Sequence, residues 1–369
     1  MNNLVLKIEK LVSGGDGISL VDGKIHFVPQ TLPGEIVEVT IKEEKKNYNI
    51  CSLVKIIERS KDRINPFCKF YGYCGGCNFQ FTEYDNQLLL KKEIIIDIFK
   101  RTGKLELQDF EIIPSIPDHY RNRIQIHSNN ECRGFKKEQS NEIIDIDYCP
   151  ILVKNLNLIT SDKSIALTGK NVVFSNGDDC YIDSLNNEAN VSIMGKKISF
   201  NPNGFFQSNL YILPSLINLV IKYVIGENVM DLYCGVGLFS AFLPEFVKKI
   251  VAVEIDDRVK EFYKKNVGDR NYSFYPLSLE RYIKNIKTES EFINTIIVDP
   301  PRIGLSQNAR DYLIKMRAER IIYVSCDPVT MARDIQDLVS NGYKLSYYTA
   351  LDFYPQTFHI ESFGVLDIE

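Results

Sequence analysis

The sequence predicts an α/β protein: a doubly wound parallel sheet at the C-terminal end, preceded by a small β-barrel and a β-rich middle domain. Two observations lead to this class. After residue 200, apolar strand-like runs alternate with helical stretches, which is the pattern of a parallel sheet covered by helices. Before residue 59, short alternating runs are separated by turns, which is typical of a small barrel. A chain of 369 residues also has enough material for two or three domains.

The barrel is predicted over residues 1–58. Apolar and polar positions alternate in this segment, and the turn sequences GGDG and DG interrupt the alternation. A period of two places the apolar side chains on one face of each strand. We therefore expect several short strands connected by tight turns.

The middle domain is predicted over residues 59–200. It opens with a cysteine-rich loop, and a strongly helical segment follows at residues 84–101 and ends at Gly103. From residue 112 the pattern returns to strands and polar loops, so we expect a β-rich domain here.

The C-terminal domain is predicted over residues 201–369. Helical stretches at residues 210–225, 258–266, 307–317 and 330–340 alternate with strand-like runs at 229–233, 250–253, 295–298 and 321–324. Ligands bind at the carboxyl ends of the strands in such sheets. The residues that follow each strand are therefore the first candidates for a functional site.

Composition gives weaker indications. The net charge of -4 does not argue for or against a nucleic-acid partner, but residues 59–137 contain 14 Lys or Arg against 10 Asp or Glu, with aromatic residues between them. A solvated surface of mixed charge would look similar. No apolar run is long enough to cross a bilayer, and the first residues do not resemble a signal peptide. We expect a cytoplasmic monomer that does not bind membranes.

The first strand of the C-terminal domain ends in DLYCGVG, residues 231–237, and the next strand ends at Glu254. Glycines after the first strand let a ligand approach the backbone, and an acid after the second binds ribose hydroxyls. The dinucleotide pattern GxGxxG is absent. This combination favours a cofactor that carries a nucleoside, S-adenosylmethionine rather than NAD. Packing of the following helix would explain the glycines alone, but not the position of the acid.

Another strand ends in Asp299-Pro-Pro-Arg302. Two prolines make a stiff loop with little freedom to lose on binding, although an ordinary Asp-Pro turn would have the same sequence. In amino-methyltransferases a similar loop ends in an aromatic residue that stacks on the base. Arg302 stands at that place, which argues against methylation of an amine.

Cys326 follows the strand at residues 321–324, and most isolated cysteines at such places are packing residues. Methylation of carbon 5 of a pyrimidine, however, requires a cysteine at this kind of edge. A thiolate that adds to carbon 6 makes carbon 5 nucleophilic, and a base must later remove the carbon-5 proton. His359 and Glu361 are both candidates for that base.

Four cysteines have spacing typical of metal ligands: Cys68, Cys74 and Cys77 in the pattern Cys-x5-Cys-x2-Cys, with Cys149 before a proline much later. An iron–sulfur cluster is the preferred interpretation and zinc is the alternative. Chance pairs of cysteines would need no metal. The remaining isolated cysteines, Cys51, Cys132, Cys180 and Cys234, are expected to be packing residues.

Together these residues resemble the RNA uracil-C5 methyltransferase family, and specifically its bacterial 23S ribosomal RNA members that carry an iron–sulfur cluster. The resemblance covers essentially the whole chain, with a TRAM domain in the first 58 residues. It rests on the four cysteines, on NPNGFFQSN at residues 201–209, on DLYCG at 231–235, on DPPR at 299–302, on SCDP at 325–328, and on Glu361.

The resemblance implies a Rossmann-like catalytic domain that uses S-adenosylmethionine, on which the helix at residues 84–101 packs. It implies that Cys326 is the nucleophile and Glu361 the base, and that a [4Fe-4S] cluster is held by Cys68, Cys74, Cys77 and Cys149. The implied cofactor-binding residues are Gln207, Tyr233, Gly235, Glu254 and Asp299, with Gln207 also facing the uracil. Two positions depart from the family, because Leu238 and Ser278 stand where asparagine can occur near the cofactor.

The implied partner is RNA, and 23S ribosomal RNA in particular. Two alternatives remain open at this point: the same chemistry on a transfer RNA uridine, and a non-catalytic RNA-binding or RNA-folding factor that retains the cofactor pocket. The presence of the nucleophile and the base together weighs against the second alternative.

Overall fold

The structure is a computed structural model that describes residues 3–129, 132–285 and 292–369. Its regular elements form four sheets with eight α-helices among the described residues. No helix within these ranges combines the length and the apolar character needed to cross a membrane.

The N-terminal barrel consists of six strands, with bounds β1 Leu4–Lys7, β2 Lys10–Leu11, β3 Gly17–Val21, β4 Lys24–Val28, β5 Ile36–Glu44 and β6 Tyr48–Glu58. They hydrogen-bond in the order β1-β5-β6-β4-β3-β2, and β4 and β6 run parallel while the other neighbours are antiparallel. Alternate residues such as Leu6, Val37 and Val39 are fully buried and form a separate core with Cys51. The alternation of apolar and polar residues therefore does place one face of each strand in the barrel core, as predicted.

The middle region begins with helix α1, Tyr84–Ile98, which continues into a π-helical turn, Phe99–Gly103. The following elements are β7 Ile112–Ile113, β8 Arg123–Ser128, β9 Arg133–Lys136, β10 Ile143–Asp145, α2 Lys154–Ser161, β11 Gly169–Ser175, β12 Cys180–Ile182, β13 Ala189–Ile193 and β14 Lys196–Phe200. Strands β8 to β12 form an antiparallel sheet in the order β10-β9-β8-β11-β12, and β13 pairs with β14 as a hairpin.

The C-terminal part alternates strands and helices: α3 Leu213–Tyr223, β15 Asn228–Leu232, α4 Leu238–Phe242, β16 Lys249–Glu254, a 3-10 turn Asp257–Val259, α5 Lys260–Val267, β17 Tyr272–Pro276, α6 Leu279–Asn285, β18 Thr295–Val298, α7 Gln307–Met316, β19 Arg320–Ser325, α8 Pro328–Val339, β20 Tyr343–Leu351 and β21 Glu361–Ile368. The eight strands of the main sheet lie in the order β17-β16-β15-β18-β19-β21-β20-β7. The strands from β15 to β19 are parallel, whereas β21 is antiparallel to both its neighbours.

This architecture confirms the predicted α/β class with a doubly wound sheet. Strands β15, β18 and β19 are buried along almost their whole length, because helices cover both faces of a parallel sheet. Their carboxyl ends all point to one edge of the sheet.

Segments of the middle region also join the C-terminal core. Helix α1 packs against α8, strand β7 extends the main sheet beside β20, and strand β14 contacts α5. The reason is hydrophobic: Leu90, Ile94 and Ile95 are buried in the same cluster as Met331 of α8. Domain boundaries at residues 58 and 200 remain a prediction, since the chain crosses between these units several times.

Candidate functional site

The loop after β15 has the backbone of a ligand-binding turn. Tyr233 has φ +62°, Gly235 has φ +53° and Gly237 has φ +80°. A Cβ atom on Gly237 would lie 2.7 Å from the ring of Tyr263, so only glycine fits there. A Cβ on Gly235 would meet nothing within 4 Å, which leaves open space above that part of the loop. A ligand can therefore approach the backbone at Gly235.

Two acidic side chains, the buried Asp231 and the half-buried Glu254, form hydrogen bonds at this loop. Asp231, at the end of β15, accepts a hydrogen bond from the Ser240 hydroxyl at 2.6 Å, and burial raises the pKa of its carboxyl to about 7. Glu254, at the end of β16, accepts hydrogen bonds from the backbone N–H of Gly235 at 3.0 Å and of Asp256 at 2.9 Å. The carboxylate of Glu254 therefore fixes the turn on which the nucleoside of a cofactor would lie.

Cys326 lies between the end of β19 and the start of α8. Asp327 caps the helix, because its side chain accepts hydrogen bonds from the N–H groups of Val329 at 2.8 Å and Thr330 at 3.1 Å. Pro328 occupies the first helical turn, where its missing N–H costs nothing. The sequence Cys-Asp-Pro thus fixes the thiol at the positive end of a helix, a place that favours a thiolate.

In the structure, the effect of burial on the pKa of the Cys326 thiol outweighs the effect of the helix end. Burial and the nearby carboxyls of Glu361 and Asp299 raise the pKa of the Cys326 thiol to about 11. The guanidinium of Arg302 acts in the opposite direction, both as a charge and as a hydrogen-bond donor to the sulfur. Cys326 is therefore protonated at neutral pH before substrate binds, with a cation in place to stabilise the thiolate.

Glu361 is the first residue of β21 and is only 4% exposed. Burial raises the pKa of its carboxyl well above the usual range, and the charge of Asp299 raises it further. Asp299 follows β18 and is half-buried, and desolvation and the charge of Asp231 raise the pKa of its carboxyl to about 7. Glu361 is thus a stronger base than an exposed glutamate.

His359 lies two residues before Glu361 and faces the same cleft. Burial lowers the pKa of its imidazole to about 4, and the charges of Arg302, Lys91 and Arg121 lower it further. The imidazole is neutral at physiological pH and is a weak base compared with Glu361.

The predicted residues fall into one connected set with one exception. Electrostatic contacts link Glu254 to Asp231, Asp231 to Asp299, and Asp299 to both Glu361 and Cys326. Gln207 is buried in the neighbouring segment, and the described hydrogen bonds do not join its side chain to Cys326. Phe205, two residues before Gln207, is 75% exposed.

Three residues of the cleft were not identified as functional from the sequence. Arg302, Tyr354 and Arg121 line a single open cavity of about 640 Å³ together with His359. For Arg302, the sequence signal was its place at the end of the Asp-Pro-Pro loop. Arg121 was counted in the basic region at residues 59–137 without a specific role, and for Tyr354 the sequence carried no signal.

The structure gives each of the two positions that depart from the family a local role. Leu238 is a buried first residue of α4, and the hydroxyl of Ser278 accepts a hydrogen bond from the N–H of Arg281.

The four predicted metal ligands, Cys68, Cys74, Cys77 and Cys149, line the same cavity as the arginines. Burial raises the pKa of Cys77 to about 12 and that of Cys149 to about 11, and neighbouring thiols contribute to both shifts. Within residues 3–129, 132–285 and 292–369, however, no three His, Cys, Asp or Glu side chains are arranged to hold a metal ion. The structure therefore brings the thiols to one cavity without forming a site for a single ion, and the cluster remains a prediction.

Acidic residues pair with part of the basic region at residues 59–137. Ion pairs with acidic residues engage Arg63, Lys69, Lys91, Lys92, Arg101 and Lys137. Arg121 and Arg123 instead face the cavity, and Arg123 donates a hydrogen bond of 2.6 Å to the carbonyl of Gly204. Lys136 and Lys137 line the same cavity, and Lys91 lines the smaller cavity beside Cys326.

Comparison with known proteins adds independent information. Residues 154–368 match the family described as tRNA (Uracil-5-)-methyltransferase, and residues 4–54 match the TRAM domain. An uncharacterized RNA methyltransferase of Treponema denticola is 35% identical over 401 residues, which cover 99% of this chain and 99% of that protein. The 23S rRNA (uracil(1939)-C(5))-methyltransferase RlmD of Aliivibrio fischeri is 30% identical over 424 residues, covering 99% and 96% of the two chains.

A solved structure has the same overall fold. The tRNA (uracil-54, C5)-methyltransferase of Pyrococcus abyssi, in complex with S-adenosyl-L-homocysteine, superposes with a TM-score of 0.76 at 23% sequence identity. The match covers 98% of this chain and 100% of that chain. At this level of identity the likeness establishes the fold.

Proposed function

The chain belongs to the RNA uracil-C5 methyltransferase family, and from that premise we propose that it methylates carbon 5 of a uridine in 23S ribosomal RNA through a covalent bond from Cys326 to carbon 6. The observation that supports this most directly is the grouping of a thiol, a guanidinium, the buried carboxyl of Glu361 and the half-buried carboxyl of Asp299. Each of these groups has a step to perform in the reaction, as follows.

Cys326 performs the first step. The thiol gives its proton to water, since Cys326 is only partly buried; the sulfur then adds to carbon 6 of the uridine, and the negative charge moves to the enolate of the ring. Arg302 stabilises the thiolate before the attack, because its guanidinium lowers the pKa of the thiol. When bound, S-adenosylmethionine supplies the methyl group that carbon 5 takes up.

Glu361 performs the last step. Its carboxylate removes the proton from carbon 5, the electron pair restores the double bond between carbons 5 and 6, and the thiolate of Cys326 leaves. The raised pKa of Glu361 suits this step better than the lowered pKa of His359. We therefore assign the base to Glu361 and a neutral, lining role to His359.

Cofactor binding is assigned to Gln207, Tyr233, Gly235, Glu254 and Asp299. The open space above Gly235 and the hydrogen bond from its N–H to Glu254 support a nucleoside at this turn.

Ribosomal RNA is proposed as the substrate because the relative named for 23S rRNA is 30% identical over nearly the whole of both chains. A transfer RNA uridine is the second candidate, because the chain shares its fold with the tRNA methyltransferase of Pyrococcus abyssi. Residence in the cytoplasm and a monomeric state accompany the proposal as predictions.

One experiment separates these substrates. The purified protein is incubated with S-adenosylmethionine carrying a tritiated methyl group, and with 23S rRNA or bulk tRNA from a host that lacks uracil-C5 methylation. We expect 5-methyluridine in the 23S rRNA at a single mapped position, and none with Cys326→Ala. Methylation of tRNA alone would replace the proposed substrate, and methylation of neither RNA would contradict the enzyme proposal.

A structural [4Fe-4S] cluster on Cys68, Cys74, Cys77 and Cys149 is proposed for the cysteine cavity. The donor set is right for it, since four thiols line one cavity. A four-iron cluster is larger than one ion, so its thiolates lie farther apart than those around zinc. The lack of a single-ion arrangement within the described residues thus counts more against zinc than against the cluster. The cluster would hold the cysteine loop, and the methylation chemistry needs no electron transfer.

A further inference from the structure

Residues 352–360 connect β20 to β21 and form one wall of the cleft. Tyr354 and Thr357 line the large cavity, while Phe358 and Ile360 line a smaller cavity of about 110 Å³ beside Cys326. The connection leads directly into Glu361. The connection therefore borders both cavities and the residue assigned as the base.

Gln356, in the middle of this connection, has an unusual backbone conformation. Its φ is +69°, although it is not a glycine, and its side chain is only 4% exposed. A left-handed conformation is unfavourable for glutamine and persists only where the surroundings hold it.

The surroundings use every polar atom of Gln356. Its N–H donates to Oε1 of Gln87 at 3.0 Å, and Nε2 of Gln87 donates in return to Oε1 of Gln356 at 2.9 Å. Nε2 of Gln356 donates to the carbonyl of Pro117 at 3.2 Å. Its own carbonyl accepts hydrogen bonds from the N–H groups of Asn78 and Phe79, each at 3.0 Å.

All these partners lie between residues 78 and 117, far from Gln356 in sequence. Further contacts attach the connection to the same part of the chain: Asn78 Oδ1 accepts from the N–H of Phe358 at 3.0 Å, Tyr120 donates to the carbonyl of Pro355 at 2.9 Å, and Lys91 pairs with the buried Asp352 at 2.7 Å. The wall of the catalytic cleft is thus anchored on helix α1 and on the two residues after Cys77.

We propose that Gln356 is a positioning residue, which holds the β20–β21 connection closed over the cleft and keeps Glu361 shielded from water for removal of the carbon-5 proton. The inference rests on the function proposed above for Glu361. It makes the N-terminal half of the chain a participant in the last chemical step, through Gln87 and the backbone after Cys77.

The proposal predicts a specific defect. The charged or titratable groups that influence Glu361, or are influenced by it, are Asp299, Arg302, Cys326 and Tyr354. If the connection loosens, water reaches the carboxylate and stabilises its charged form, so the pKa of Glu361 falls and the base weakens. Methyl transfer should proceed, while release of the methylated RNA slows and the covalent adduct accumulates.

The test uses the full-length variants Gln356→Met and Gln87→Met, which keep the side-chain length and remove the side-chain hydrogen bonds; the main-chain bonds of Gln356 to Asn78 and Phe79 remain in both. Asn171→Leu is the matched control, because Asn171 is a buried amide that bonds to Thr168 and Ser184 in the middle sheet. Single-turnover reactions with tritiated S-adenosylmethionine and RNA are followed on denaturing gels. Glu361→Gln is run beside them as the reference for trapped adduct, and thermal unfolding checks that each variant folds.

We expect adduct decay to slow about tenfold in Gln356→Met, with the RNA KM changed by less than about threefold and with less slowing in Gln87→Met. The acidic limb of the pH profile for adduct decay should move to lower pH in both variants and stay in place in Asn171→Leu. Should Gln356→Met not fold, Gln87→Met decides the question alone.

The possible failures are distinguishable. Trapped adduct in Glu361→Gln, together with normal decay and an unmoved pH limb in the methionine variants, overturns the role of Gln356 and leaves the proposed function intact. An equal effect in Asn171→Leu has the same meaning, since it would reflect general destabilisation. No adduct in Glu361→Gln overturns the proposed mechanism, and the role of Gln356 with it.

Discussion

The catalytic edge of the main sheet and the cysteine cavity hold their reactive groups in different ways. At the edge, Asp299 follows β18, Cys326 follows β19 and Glu361 opens β21, so each group is fixed by the hydrogen bonds of a buried strand. In the cavity, Cys68 to Cys77 lie in a loop of turns, and Cys149 precedes a short helix.

This difference indicates which of the two sites is formed before a ligand binds. Strand pairing fixes the catalytic groups whether or not a ligand is present, which is how preorganised sites work. The thiols of the cavity are buried with raised pKa values and are not arranged, within the described residues, for a single ion. We therefore expect the catalytic edge to be rigid and the cysteine loop to depend on what it binds.

The largest expected effect lies at the catalytic edge. Cys326→Ala should lower methylation by more than about a thousandfold and abolish the covalent adduct, whereas Glu361→Gln should transfer the methyl group and then stall as an adduct. Labelled adduct on a denaturing gel measures both. Adduct that accumulates in His359→Ala and is absent from Glu361→Gln would reassign the base.

The second prediction tests whether the cysteine loop depends on a bound group. Protein purified without oxygen should contain about four irons per chain and absorb as a brown protein, and Cys77→Ser should lose the iron and unfold at lower temperature. S-adenosylmethionine binding, measured by calorimetry, should change little, because the cofactor turn lies on the main sheet. Zinc without iron after anaerobic reconstitution would contradict the cluster.

A smaller effect is expected for Phe205, which lines the same cavity as the four predicted cysteine ligands. Phe205 is 75% exposed beside Gln207, and stacking of a base on an aromatic ring contributes about 1–3 kcal/mol. Phe205→Ala should therefore raise the RNA KM by roughly tenfold and leave cofactor affinity unchanged. Phe246→Ala is the control, since Phe246 is also exposed but, unlike Phe205, is not one of the residues that line the large cavity. Equal KM changes in both variants would remove Phe205 from the RNA surface.

The smallest effect concerns the acid below the cofactor loop. The pKa of Asp231 is 3.8 in an ordinary setting and about 7 in the folded protein, so between these values the unfolded chain gives up the proton that the folded chain keeps. Stability from this group is full below about pH 4 and is lost as the pH rises through 7. Asp231→Asn should raise the melting temperature more at pH 8 than at pH 5. A larger gain at pH 5 would show that the carboxyl is charged in the native state.

The fold and the groups at the catalytic edge were largely predictable because their signals are local. Strand β18 was predicted with its observed bounds and β15, β16 and β19 to within one or two residues, since buried strands are short apolar runs, whereas the partly exposed edge strand β17 was not predicted. The motifs around Asp299 and Cys326 follow those strands directly. The π-helical turn after α1 and the joining of β7 to the main sheet could not be predicted, because they depend on packing against distant residues.

The sequence by itself determined the α/β class and four of the parallel strands of the main sheet, and it supplied the candidate reactive groups, because period, turn residues and motif spacing are properties of neighbouring residues. Tertiary structure alone decided which remote groups surround them. It placed Arg302 against the thiol of Cys326 and Asp299 against Glu361, and it tied Gln356 to Gln87, 269 positions earlier in the chain. The pKa values and the closure of the cleft depend on burial and on charges brought together by folding, and no local pattern records those distances.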